Sequence, residues 1–279
     1  MISNDELQRA ATQLGTLPTS LHRLMAITAS PEFDFAEIVD VVDHDMLLTA
    51  AILRRANSAS SAPVDHIHTV RDAVVRIGAV QILATAVHSV VGGALQRELR
   101  CYNQPSRDLW RHSCAASIAA TQIRSKAAIQ LPTSTGTTAL LHDVGKIVLD
   151  VVAVDQGLGP IEVFGMEACA VEVELFGIDH AAAGAFVAEM WHLPQAIVEG
   201  IAGHHTLIDN ALPSAICLAD VIAHLAAEDL PEGLAADLAQ AAESARQILG
   251  ISTEQLNEIV GSTRGQLGEL LERFDSVPA

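Results

Sequence analysis

Leu140-Leu141-His142-Asp143-Val144-Gly145-Lys146 places an imidazole, a carboxylate and an ammonium inside an apolar run from Thr138 to Val154, interrupted further on only by Asp150. Burying a carboxylate costs several kcal/mol unless it is paired with a cation. A histidine beside it makes a metal ion one candidate for that cation. A helix that turns the trio to water is the other, and the stretch alone does not choose. Ile147 to Val154 is β-branched enough for a strand, but it continues the His142 pattern directly and reads as helix.

Working outward, no segment shows sustained period-two alternation bounded by turn dipeptides, so the chain reads as all-α with about a dozen helices. Asp5 to Leu14 is the first helix, and Ser20 to Ala29 the second, ended by Pro31. Asp34 caps a third, with Phe35, Ile38, Val39 and Val42 inward. Asp45 to Asn57 carries Met46, Leu47, Ala50, Ile52 and Leu53 at helical spacing, and Ser58 to Pro63 is a loop. Thr69 caps Val70 to Ile77, Gly78 interrupts, and Gly92-Gly93 loosens the end of Val80 to Val91.

Ser106 is the expected N-cap of a long helix to about Ala128, whose apolar stripe includes His112. Further helices are expected over Ile161 to Leu175 (acidic), from His180 to Trp191, over Gln195 to His205, and over Ser214 to Ala227. Leu234 to Leu249 and Thr253 to Phe274 are two Ala- and Glu-rich helices without candidate chemistry. The organisation expected is an N-terminal helical part over 1–104, a core over 105–227 and a helical extension over 228–279.

The 279 residues suffice for a real core, built from Ala, Leu, Ile and Val, since aromatics make up only 3%. The net charge of −18, with no basic block, repels phosphate backbones, so direct DNA binding is not expected. The four cysteines are far apart and form no Cys-x-x-Cys pair, as for reduced thiols of a cytoplasmic protein. The first residues are polar and acidic, unlike a signal peptide, and no run of about 18 uncharged apolar residues predicts a membrane span.

Seven of the twelve histidines lie between 112 and 224. With acids they form a series on successive helices: His112, His142-Asp143, His180, His204-His205, Asp220. Facing helices supply ligands in this way when a bundle builds a metal site. Asp220 is the only acid between Asp209 and Glu228, in the middle of an apolar helix. Its bland reading is an exposed ion pair with His224 at i+4, worth a few tenths of a kcal/mol; the apolar surround favours a ligand. Imidazole and carboxylate without thiolate suit a divalent transition metal (Fe, Mn, Zn, Co or Ni). A pair of ions about 3.5–4 Å apart, bridged by Asp143, would use this many ligands. Lys146, one turn on, balances Asp143 or meets a substrate phosphate.

The ordered set resembles the HD superfamily of metal-dependent phosphohydrolases, and more closely its HDOD branch. The resemblance is carried by Leu17-Pro18, Leu53 to Ala59, Ala73 to Gly78, Leu109 to Ser113 and Leu140 to Lys146. It continues through Leu175 to Gly184, Trp191 to Pro194, His204-His205 and Asp220. It implies an HD-domain-like multi-helix bundle with an N-terminal helical subdomain. It also implies metal ligation by His112, His142, Asp143 and Asp220, with Asp143, His180, His204 and His205 around a second ion. The Gly-Tyr-Pro motif of the related cyclic-dinucleotide phosphodiesterases is absent, since Thr206 to Asp209 follow the paired histidines.

Three functions follow. One is a metal-bound signalling or regulatory protein read by a protein partner. The second is a phosphohydrolase acting on a phosphorylated small molecule or nucleotide, with Asp143 and Lys146 as its catalytic residues. The third is a metal-free interaction scaffold, in which Asp143 and Asp220 are neutral or paired otherwise.

Overall fold

Side-chain caps set where the first helices begin. A computed structural model describes residues 2–29, 33–57, 66–161, 163, 165–206, 210–227 and 234–275. Helix α1 (Asn4–Thr12) starts at a capping box in which Ser3 and Glu6 satisfy each other's backbone. Helix α2 (Thr19–Ala29) is followed by α3 (Phe35–Asp43), capped by Asp34, and α4 (Met46–Ala56), capped by Asp45. The Asp45 carboxylate also accepts from the Ser20 hydroxyl at 2.6 Å, which ties α4 to α2.

The expected inward set needs adjusting here. Phe35, Met46 and Leu47 are exposed. The buried faces begin later, at Ile38, Val41 and Val42 in α3 and at Leu48, Ala51 and Ile52 in α4. Spacing alone leaves the phase of a short helix ambiguous over its first turn. The loop expected over 58–63 lies outside the described residues.

Helix α5 (Val70–Leu95) is capped by Thr69 and kinks at Gly78, whose φ of 76° is open to glycine at little cost. It runs on through Gly92-Gly93 to Leu95, so the glycine pair does not end it. Both halves bury apolar residues, including Val74, Ile82, Leu83 and Val87. After α5 comes a short 3₁₀ turn, Arg100–Tyr102. It is pinned to the core: the Cys101 N–H donates to the Asp150 carboxylate at 2.7 Å, and the Ile161 N–H donates to the Cys101 carbonyl at 2.6 Å.

Helix α6 (Asp108–Lys126) does not use Ser106 as its cap. Arg107 holds that position in a left-handed conformation (φ 75°), which leaves Ser106 outside the helix. The run from Thr138 to Val154 is helical but not one helix. α7 (Thr135–Leu141) and α8 (Val144–Gln156) are separated by His142 and Asp143. Then follow α9 (Gly165–Phe176), which begins later than Ile161, α10 (His180–Met190), capped by Asp179, and α11 (Gln195–Ala202). The expected helix to His205 stops at Ala202, so His204 and His205 sit on the turn after it. Helices α12 (Ala211–Ala226), α13 (Leu234–Leu249) and α14 (Thr253–Asp275) complete fourteen α-helices, with no strand among the described residues.

Helix α12 is buried along most of its length, and α6, α7, α11, α13 and α14 pack around it. Helix α10 lies against α8 and α11. Among α1–α5, α5 gathers α2, α3 and α4, while α1 reaches across to α8. The junction is hydrogen-bonded: the Trp191 indole donates to the Gly15 carbonyl at 2.9 Å, and the Ile2 N–H donates to Phe176 at 2.7 Å. No single described helix is long and apolar enough to cross a membrane.

Candidate metal centre

The break between α7 and α8 is what aims the central carboxylate. Asp143 occupies the N-cap position of α8 (φ −96°, ψ 8°) but caps nothing with its side chain. Its carboxylate turns into the protein and is 2% exposed. Helix α6 brings His112, the start of α10 brings His180, the turn after α11 brings His204 and His205, and α12 brings Asp220.

All seven expected metal residues converge. His112 Nε2 lies 3.0 Å from Asp220 Oδ1, 3.3 Å from His142 Nε2 and 3.7 Å from Asp143 Oδ2. Asp143 Oδ1 faces His180 Nε2 at 3.3 Å and His204 Nε2 at 3.9 Å. His205 Nε2 is 2.8 Å from His180 Nε2. Among these seven, two three-residue groups emerge, His112–His142–Asp220 and His142–Asp143–His204, each with donor atoms within 4.8 Å of one another. Asp143 spans the centre, with one oxygen toward each end.

The histidines are oriented from behind. His142 Nδ1 meets the Ala139 carbonyl at 2.7 Å and His204 Nδ1 the Ile201 carbonyl at 2.6 Å. His180 Nδ1 meets Glu172 at 2.7 Å. A ring that donates through Nδ1 keeps its Nε2 lone pair for a cation, and a carboxylate or carbonyl behind the ring is the usual support of a metal-ligating histidine. Four buried side-chain atoms have no hydrogen-bond partner among the described residues, and two of them, Asp143 Oδ1 and His204 Nε2, belong to the centre. Such orphans cost about 1–3 kcal/mol each or more. A divalent cation between them would satisfy both, so the donor set fits a metal.

Two members were not among the expected site residues. Glu172 lay in what reads as an acidic helix, yet it is fully buried. It also accepts from the His180 N–H at 2.7 Å and the Tyr102 hydroxyl at 2.8 Å, which uses the only tyrosine. No spacing signal distinguished it from Glu167 and Glu174. His224 was the other, considered only as the exposed partner of Asp220. It does meet Asp220, at 3.4 Å, and its ring centroid lies 4.5 Å from that of His112. Its position one turn after Asp220 on an apolar helix was the available clue. Lys146 donates to Asp143 Oδ2 at 2.7 Å, so its charge is already matched.

The charges follow from this packing. Burial opposes ionisation of Asp143, but His142, Lys146, His180 and His112 outweigh it and hold the carboxyl well below its usual range. Burial likewise opposes ionisation of Asp220, and the hydrogen bonds from His112 and His142 reverse it. Burial would depress His142, yet Asp143 and Asp220 raise it. Burial and neighbouring histidines push His204 well down, His205 to about 3 and His224 to about 4.

Metal-stripped protein is therefore expected to be acid-labile. The unfolded chain protonates these three histidines near pH 6.5 while the folded chain does not, so stability falls as pH falls from about 6.5 towards 4. His142, held above its usual value, acts with the opposite sign but only above about pH 6.5, so it does not offset the loss below that pH. Each uncompensated proton steepens the loss towards about 1.4 kcal/mol per pH unit. Thermal melts in chelator between pH 7.5 and 4.5 check this; a flat or rising Tm across that interval would contradict it.

The family model for the HDOD domain matches residues 14–207, well over half of the chain. The chain belongs to the HDOD family. An uncharacterised protein of Treponema pallidum (strain Nichols) is 23% identical over 219 residues, covering 73% of this HDOD chain. The chain spans only 42% of that relative's length. Among solved structures, an HDOD domain protein of unknown function from Geobacter sulfurreducens aligns over 98% of both chains, at 21% identity and a TM-score of 0.70. A candidate phosphohydrolase from Shewanella amazonensis SB2B covers 95% of this chain and 96% of its own, at 23% identity and a TM-score of 0.66. At these identities the structural likeness establishes the HDOD fold alone.

Glu172→Gln is expected to lower divalent-metal affinity 10- to 100-fold while keeping the shape of the site, because the amide no longer fixes His180 as a carboxylate does. A competition titration against a chelator reads the change. Unaltered affinity would mean that Glu172 plays no part in orienting the ligand.

Proposed function

We propose that this HDOD protein is a metal-binding signalling module whose centre holds a divalent transition metal between Asp143, Asp220 and the five histidines His112, His142, His180, His204 and His205. The observation that carries the reading is the pair of orphaned buried atoms, Asp143 Oδ1 and His204 Nε2, inside a shell of Nε2 atoms oriented from behind. A metal-free scaffold would leave both desolvated and without a hydrogen bond, which is the costly arrangement. Metal occupancy would lock α6, α8, α10 and α12 to one another, since each contributes or flanks a ligand. A protein partner in the cytoplasm would read that locked state on the outer helix surfaces.

A second reading is hydrolysis of a phosphorylated small molecule or nucleotide. It is favoured by the His112–Asp220–His224 end of the centre, whose side chains are 15%, 13% and 31% exposed while His142, Asp143 and His204 are closed off. A ligand would enter there. A bound divalent ion would supply Lewis acidity towards a phosphoryl oxygen. Asp143 would hold the centre together, and Lys146 would keep that carboxylate ionised.

Elemental analysis of the purified chain, beside the His142→Ala/Asp143→Ala double variant, tests the metal reading. Full metal content in the double variant would refute the site assignment. A panel of phosphate mono- and diesters, with added Mn or Fe, separates the two readings. Turnover that disappears in the double variant supports hydrolysis, whereas a silent panel with a full metal complement leaves the signalling module.

A further inference from the structure

The donor atoms around Asp143 do not end with imidazoles and carboxylates. Cys169 lies on α9, one turn before Glu172, and is buried. Its Sγ, a ring nitrogen of His180 and a ring nitrogen of His205 all lie within 4.8 Å of one another. Cys101, Cys114 and Cys217 are also buried and free, yet none of them belongs to such a group among the described residues.

We propose that Cys169, His180 and His205 form a thiolate-containing metal position at the His180 end of the centre, which takes a thiophilic divalent ion such as zinc or cobalt. This rests on the reading that the chain binds metal, and it goes further in dividing the centre into a hard end and a soft end. Three donors from α9, the start of α10 and the turn after α11 converge, the number a protein supplies at a site that keeps one position open. Two further observations point to a cation there. Glu172 grips His180 Nδ1 at 2.7 Å, which leaves Nε2 free for a cation, 2.8 Å from His205 Nε2. Asp143 Oδ1, which accepts no hydrogen bond, lies 3.3 Å from that same Nε2.

The chemistry of the two ends then differs. His112, His142 and Asp220 offer only nitrogen and oxygen, which suits harder ions, whereas a sulfur among the donors favours zinc over manganese or magnesium. On coordination the Cys169 thiol gives up its proton to solvent and binds as thiolate. The Cys-x₁₀-His-x₂₄-His spacing matches no zinc-ribbon or finger pattern, so it carries no signal in the linear sequence.

The test is a cobalt(II) titration of the metal-stripped full chain, followed by absorption. The expected result is a thiolate-to-cobalt charge-transfer band in the near ultraviolet. The band should vanish in Cys169→Ser and persist in Cys217→Ser, and the Cys169→Ser chain should keep its helical circular dichroism. Cobalt affinity at that position should fall about 10-fold or more. Stoichiometric cobalt binding without the band, or with the band unchanged in Cys169→Ser, overturns the proposal and leaves the metal reading standing. Failure of the wild-type chain to bind cobalt, zinc or manganese at all overturns both.

Discussion

Asp143→Asn is expected to lower divalent-metal affinity by about 100-fold or more and, separately, to destabilise the metal-free protein by about 3–5 kcal/mol. The first figure exceeds what loss of an outer support costs, because Asp143 is the one carboxylate that faces both ends of the centre. The second has a different origin. Lys146 is mostly buried, with its ammonium 2.7 Å from Asp143 Oδ2. Removing one partner of a buried pair leaves an uncompensated charge, and this costs more than the pair contributed when intact. The asparagine is nearly isosteric, so no cavity confuses the comparison. Metal content by elemental analysis and urea unfolding in chelator read the two effects. Metal retained at wild-type affinity would remove Asp143 from the centre. Unchanged unfolding would mean that Lys146 finds water.

Gly145→Ala should be strongly damaging, although it adds only a methyl group. A methyl at Gly145 would lie 2.0 Å from the His180 carbonyl oxygen and 2.5 Å from the Gly184 amide nitrogen. Both neighbours are backbone atoms of α10 and cannot rotate away. Helices α8 and α10 would have to separate, at a cost of about 3 kcal/mol or more. For a chain of this size that is a Tm fall of roughly 5 °C or more. The same shift would move His180 away from Asp143, so metal affinity should fall along with stability. Gly93→Ala is the control. A methyl there meets nothing within 4 Å inside α5, so ordinary helix propensity should make that variant neutral or up to about 1 kcal/mol more stable. Equal melting of the two alanine variants would disprove the close approach of α8 to α10.

The two variants show why the His142-Asp143 stretch reads incompletely on its own. The residue types were legible: a carboxylate and an imidazole in an apolar run imply a cation. Their presentation was not, because the apolar pattern continues smoothly from Thr138 to Val154 while the backbone breaks between Leu141 and Val144. Periodicity reports which face is apolar, and it is blind to a two-residue turn that keeps the phase. The break matters because a helical Asp143 would have its side chain fixed by the helix surface, whereas at the N-cap position it turns inward.

Linear order by itself determined a good deal about this protein. It set an all-α fold, because apolar residues recur every three to four positions and caps such as Asp34 and Thr69 precede them. It also singled out His112, His142, Asp143, His180, His204, His205 and Asp220, because titratable groups in apolar helices are costly unless they are used. Tertiary structure alone decided the rest. Glu172, Cys169 and His224 came up against the centre through packing of α9 and α12, and nothing in the local sequence around Glu172 separates a buried acid from a solvated one. It also decided that Lys146 answers Asp143 and that Gly145 lets α8 touch α10. Distance across a bundle is set by which helices meet and how closely, and that is a property of the assembled core.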